Sequence, residues 1–419
     1  MAMAERSGEP TALVDAIHAR QKQVTGPDGV AERLRLGARL RDLGPVPDRP
    51  EAALWGYLWR IDATLQLGAV AALDAEILGL TGLVERLGWP LGRWHLLRIR
   101  GVRALVAGQL REAEELAEAA REIARRMQDP TAFGVSHALI YDLRRRTGRF
   151  DEMDPVVLRL ADSTSAPIAL STFGHYMLLA GDTERAAASF DRVRPALADL
   201  PVDGRWLPIV ESTGYLAVAF GAHEEIARCY RLLLPHAAYY IGSASGYRGA
   251  VAHVLGVLAG ALGDHDAADR HLTEAAAMEN RVGAVADLAL VRLSHARALL
   301  ARDAPGDRRR AATLAEQCAH TARRLGMAPA LAEATALVDD LVGVRADGPA
   351  ALTPREREIA ALVADGLANK AIADRLVLSE RTIETHVRNL LTKLGLRNRT
   401  QVAAWALRAG LRTGSTYPH

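Results

Sequence analysis

The chain has 419 residues, 49% hydrophobic and 24% charged, with 52 Lys+Arg against 50 Asp+Glu. That composition excludes intrinsic disorder and fits several domains, or a repeat array with one small domain beside it. Its two cysteines, Cys229 and Cys318, are too few and too far apart for a disulfide framework or a zinc site, and the longest apolar stretch, 254–262, is far short of the roughly 20 residues that span a bilayer. With no apolar core behind a basic start, secretion is not expected either, and the reading is of a cytoplasmic protein in a reducing compartment.

Apolar residues recur at helical spacing through the first 340 residues, as in Leu110, Ala113, Leu116, Ala120, Ile123 and Met127, whereas almost nothing alternates with period two. An all-α body without strands is predicted over 10–341. A recurring phrase runs through it, in which a helix ends, a glycine turns, and two or three polar residues precede an Ala-rich helix. The glycines are Gly68, Gly108, Gly148, Gly181, Gly221, Gly263 and Gly306, at spacings of 40, 40, 33, 40, 42 and 43. Each spacing is the length of one helix pair, so the body is read as a degenerate tetratricopeptide-like helical solenoid, for sensing or protein docking, with each glycine just past the first helix of its pair.

Three features of the body invite a sharper reading. Trp55, Trp59, Trp89 and Trp94 crowd together, but the four-residue spacing of Trp55 and Trp59 points to packing between helices rather than to a ligand pocket. His265 and His271 stand among aspartates, yet six residues along a helix place them on opposite sides, against metal binding. The Gly/Ser-rich segment 239–247, with three tyrosines, is the body's best candidate for a functional loop, although an ordinary helix connection is the simpler account. There is no GxxxxGK[ST], GxSxG, HExxH or HxE with PCxxC in the chain, so no enzyme, cofactor or metal site is expected.

Only three lysines occur, and two of them lie after residue 350, where eleven basic and six acidic residues give a net charge of +5 against −3 for the body. Residues 342–351, with two glycines and a proline, read as a linker. In Thr353-Pro354-Arg355-Glu356, Thr353 can cap a helix, Pro354 takes its first position and Glu356 closes a capping box. This helix carries Ile359, Leu362 and Val363 and stops at Gly366. A second follows from Lys370 to Leu376. After a three-residue turn, Ser379 caps a third from Glu380 to about Leu394, burying Ile383, Val387, Leu390, Leu391 and Leu394. A fourth opens at Asn398-Arg399-Thr400 and ends at Gly410. Two helices on a short turn, the second with a polar face, form the arrangement that places a helix in the major groove of DNA.

Residues 352–411 resemble the LuxR-type (GerE-like) helix-turn-helix domain. The likeness rests on Leu352-Thr353-Pro354-Arg355-Glu356-Arg357-Glu358, on Gly366-Leu367-Ala368-Asn369-Lys370-Ala371-Ile372-Ala373, on Ser379 to Val387, and on Leu390, Lys393, Leu394 and Arg399. The resemblance implies base contacts from Glu384, Thr385 and Arg388, phosphate contacts from Lys370, Thr382 and Arg399, and a dimerisation surface around Val402 and Trp405, with burial in the core as the alternative for Trp405. The body is similar, less specifically, to the repeat region of the large ATP-binding, MalT-like LuxR regulators. Their ATPase module has no counterpart in these 419 residues, so a nucleotide-driven switch is not expected.

The chain is thus read as an all-α, sequence-specific DNA-binding transcriptional regulator. It would be an activator that binds double-stranded DNA as a homodimer, controlled by a small-molecule effector or protein partner acting on the solenoid. The alternative is an interaction scaffold whose DNA-binding tail is vestigial.

Overall fold

Five of the seven glycine turns close in the same way. Gly68, Gly108, Gly181, Gly221 and Gly263 all have positive φ, and in each the residue that follows donates its N–H back to a carbonyl five residues earlier, as Ala69 does to Thr64 at 2.9 Å and Asp264 to Ala259 at 3.0 Å. This bond satisfies a helix-end carbonyl that would otherwise lack a partner, and the left-handed backbone it needs is cheapest for glycine. Where aspartate comes next, it opens the following helix: Asp182 accepts from Arg185 N–H and Asp264 from Ala267 N–H. Gly306 departs from the expected role. Asp303, at φ 51°, ends the preceding helix, and Gly306 instead precedes the Asp307–Leu325 helix.

The computed structural model describes residues 2–44, 46, 48–346, 352–394, 396 and 398–411. The chain divides into two compact units, Met1–Ala334 and Thr335–His419. The final body helix, Ala328–Ala346, crosses that division and takes up the first half of the segment expected to be a linker; the rest of that segment, 347–351, lies outside the described residues.

In the first unit, successive helices bury one stripe each. The Leu110–Met127 helix buries Leu110, Ala113, Ala117, Ala120 and Ala124, and the small alanines let neighbouring helices approach closely. An open solenoid touches only its neighbours, but here early repeats also meet late ones. A Cβ on Gly108 would strike Val285, and one on Gly148 would strike Pro329. Arg146 Nη2 reaches Asp287 Oδ1 at 2.6 Å.

Two expectations need correction. Residues 239–247 are not a plain helix connection, and the body is not free of strands: β1 (Tyr240–Ser243) and β2 (Gly246–Ala250) pair antiparallel, with Ser243 opposite Gly246 and a register shift between Tyr240 and Gly242. The hairpin is enclosed by helices, with Tyr240, Ile241, Ala244 and Tyr247 all buried. Aromatic and β-branched residues favour the pleated surface, and burial on both faces removes the alternation by which a strand is recognised. The tryptophans also differ from expectation. Trp59 and Trp94 are buried, the latter donating Nε1–H to Ser136 Oγ at 2.9 Å, but Trp55 and Trp59 also line a cavity.

Candidate nucleic-acid interface

The second unit contains α1 (Pro354–Ala364), α2 (Asn369–Leu376), α3 (Glu380–Leu394) and α4 (Arg399–Arg408). Its start follows the sequence closely: Thr353 and Glu356 form both halves of a capping box around Pro354. Lys393 on α3 donates to Glu356 Oε2 at 2.7 Å and, ahead of the other causes, holds that carboxyl below its usual range. The box therefore both caps α1 and ties α1 to α3. Ile359, Ile372, Ile383, Val387, Leu390, Val402 and Trp405 fill one core shared by all four helices.

Between α2 and α3 the turn is Val377-Leu378-Ser379. Val377 adopts φ 55°, unusual for a β-branched residue, and is 89% exposed. Its conformation lets Leu378 N–H return to Ala373 O at 3.0 Å, which closes α2 within one residue. Ser379 then caps α3 by accepting from Thr382 N–H at 3.1 Å. Two helices are thereby joined at a fixed angle, with the outer face of α3 unobstructed within its own unit.

That outer face holds the expected base-reading residues. Glu384, Thr385 and Arg388 are all exposed on α3, within about one helical turn of each other. Among the described residues, no hydrogen bond or ion pair engages the Glu384 carboxylate or the Arg388 guanidinium. Thr385 gives its hydroxyl to Arg381 O at 3.0 Å, which turns its polar edge toward the backbone. Lys370, in the first turn of α2, is exposed and likewise unengaged.

The remaining assignments meet a different arrangement. Thr382 is half-buried, and its hydroxyl lies 2.7 Å from Ser379 Oγ in the cap. Arg399 donates Nη1–H to Asn369 Oδ1 at 2.6 Å and Nη2–H to Leu367 O. Its guanidinium is thus spent inside the unit, where burial lowers its pKa. Val402 and Trp405 are 0% and 1% exposed; both fill the core, so neither can present itself to a second copy. The outward stripe of α4 is Gln401, Ala404 and Leu407. Periodicity could have found that stripe, because it lies opposite Val402 and Trp405. Nothing in the sequence foretold the Arg399 clamp.

Residues 350–406 match the family model described as bacterial regulatory proteins, luxR family. The chain is 50% identical across 54 residues to the nitrate/nitrite response regulator protein NarL of Escherichia coli, covering 13% of this chain and 25% of that protein. It is 48% identical across 65 residues to the putative HTH-type transcriptional regulator Mb0914c of Mycobacterium bovis, covering 16% and 7%. With the DNA-binding transcriptional activator DevR/DosR of Mycobacterium tuberculosis it shares 44% identity across 75 residues, 17% and 35% of the two chains. The chain therefore spans about a third or less of each of these relatives, and its residues 350–406 form a LuxR-family helix-turn-helix domain.

Proposed function

We propose that the chain is a sequence-specific DNA-binding transcriptional regulator, an activator that acts as a homodimer at the nucleoid and is controlled through its helical body. The observation that carries this reading is the exposed face of α3, where Arg388 and Glu384 stand unengaged on a helix fixed by the Ser379 cap. A guanidinium and a carboxylate held free in this way suit guanine and cytosine edges in the major groove. The luxR-family match at 350–406 supports it. Lys370 contributes a phosphate contact, and Gln401, Ala404 and Leu407 replace Val402 and Trp405 as the dimer surface.

No catalytic role is assigned. No described helix is long and apolar enough to cross a membrane. A vestigial tail is disfavoured by its intact caps and filled core. The test is to incubate the purified full-length protein with sheared genomic DNA and sequence what it retains. The reading expects a discrete set of fragments sharing one motif; retention in proportion to fragment abundance would overturn it.

A further inference from the structure

The helical body holds an open-mouthed cavity of about 720 Å³, within the range of small-molecule sites. Its walls include Trp55, Trp59, Tyr141, Phe173 and Tyr176, and its floor is the tip of the β1–β2 hairpin. Charge on these walls is uneven. Four arginines line the space, Arg33, Arg98, Arg205 and Arg248, against three aspartates, Asp62, Asp142 and Asp203. Arg248 is matched by Glu211 at 2.9 Å and Asp142 at 3.4 Å, and Arg205 by Asp203.

Arg33 and Arg98 are different. Each is only 5% exposed, yet among the described residues all four of their hydrogen bonds go to neutral acceptors. Arg33 donates to Thr25 O and Gln66 Oε1; Arg98 donates to Ser245 Oγ at 2.7 Å and meets His95 Nδ1 at 2.8 Å. Burial, and then Arg98 itself, push His95 down to about 2, so its ring is a neutral acceptor. The carboxylate that acts on both arginines is Asp62, which is engaged with Ala244 N–H at 2.6 Å and, among the described residues, makes no ion pair with either within 4.0 Å. Two desolvated guanidiniums thus share one carboxylate. Burying a charge without its counter-charge is costly, and a carboxylate offers guanidinium strong, often paired, hydrogen bonds.

We infer that this cavity binds a small amphipathic monocarboxylate, its acid group received by Arg33 and Arg98 and its apolar or aromatic body packed against Trp55, Trp59 and Phe173. One negative charge balances Arg33 and Arg98 beside Asp62, whereas a phosphate monoester would bring a second. The volume and the apolar surface suit a body of roughly 10 to 20 non-hydrogen atoms. Occupancy has a route into the rest of the fold. Arg98 holds Ser245 and Asp62 holds Ala244, both at the hairpin tip, while the hairpin's far end is held by Glu279 through Tyr247 Oη–H at 2.7 Å and Ala250 N–H at 2.6 Å. A ligand that draws on Arg98 therefore pulls on Ser245, at the tip of a hairpin anchored in the late repeats.

The inference rests on the proposed control of DNA binding through the body, and one experiment separates the two. Full-length protein is titrated with dodecanoate and with naphthylacetate, each beside its primary amide and beside dodecyl phosphate, following Trp fluorescence and heat. The expectation is saturable binding of at least one acid, about tenfold or more tighter than its amide. Arg98→Gln and Arg33→Gln should each abolish that preference, and Arg205→Gln should leave it. Arg98→Lys, which keeps the charge, guards against a variant that fails to fold and should retain part of the preference. Equal binding of acid and amide, absence of saturable binding by either acid, tighter binding of the phosphate, or an unchanged preference in folded Arg98→Gln would overturn the assignment. If the acid saturates the cavity with the expected preference but leaves DNA affinity unmoved, the ligand class stands and the proposed control of DNA binding falls.

Discussion

Arg399 donates its guanidinium to Asn369 Oδ1 at 2.6 Å, and so fastens the first residue of α4 to the first residue of α2. An arginine whose donors are used in this way contributes to the fold rather than to phosphate binding. Arg399→Ala should loosen α2 and α4 by about 2 kcal/mol, since bonds from charged donors are worth roughly 1.5–3 kcal/mol each and this one is partly solvated. The readout is hydrogen–deuterium exchange of peptides from both helices. Faster exchange with an unaltered salt dependence of DNA binding is expected. A shallower salt slope with unaltered exchange would return Arg399 to the phosphates.

Reading and positioning separate on α3 and α2. Arg388→Ala should cost roughly 1–3 kcal/mol on the preferred duplex and relax preference at one base pair, while Lys370→Ala should weaken all sequences about equally and shallow the salt slope by about one. Glu384→Ala should lose discrimination while non-specific affinity rises, because a carboxylate near phosphates is removed. Binding of each variant to a randomised duplex library measures all three. Altered base preference in Lys370→Ala but not in Arg388→Ala would mean that α3 docks in another orientation.

The dimer surface can be told from the core on α4. Trp405→Ala empties a buried aromatic site and should destabilise the tail by about 3–5 kcal/mol. Leu407, 43% exposed, should tolerate glutamate with little change in melting. Analytical ultracentrifugation of Leu407→Glu on operator DNA should then show one copy bound where the wild type shows two. Unchanged stoichiometry would rule out this stripe.

A pH dependence is built into the hairpin's anchor. Burial, and then the neighbouring Asp287, push Glu279 up from 4.5 to about 8. The native state therefore holds a proton that the unfolded chain has released. This contribution to stability is complete below about pH 4.5, declines above it, and is lost as pH rises through about 8. Buried histidines such as His253, pushed down to about 4 chiefly by burial, act in the opposite sense: their contribution is present above about pH 6.5 and is lost as pH falls. Comparison with Glu279→Gln cancels them. Between pH 5 and 8 the urea midpoint of the wild type should fall relative to the variant; parallel curves would show that Glu279 does not titrate in this window.

The helical class, the glycine turns and the tail's caps were legible because each is a local preference written within four or five residues, as in Thr353 and Glu356. The stripe Ile383, Val387, Leu390, Leu394 was legible for the same reason. Other features depend on partners far apart in the chain. Arg144-Arg145-Arg146 looks like a solvated helix end, yet Arg146 reaches Asp287 and Arg145 approaches Glu211 at 3.7 Å. Asp62 meets Ala244 across 182 positions. The hairpin, the contact of early with late repeats and the cavity all arise from such pairs, and no local period announces them. Trp405 shows the converse: the apolar period of α4 already set Val402 and Trp405 opposite Gln401, Ala404 and Leu407, and packing against α1 buries that side.

The central claim is that the tail reads duplex sequence while gripping phosphates, and equilibrium binding of the full-length protein across a range of salt tests it most directly. Two duplexes are compared, one carrying the sequence recovered from the library and one with the same bases scrambled. Tighter binding to the first is expected at every salt concentration, with a log-log slope near −4 for a monomer and about twice that for a dimer. Equal affinity for the two duplexes, or a flat response to salt, would contradict it.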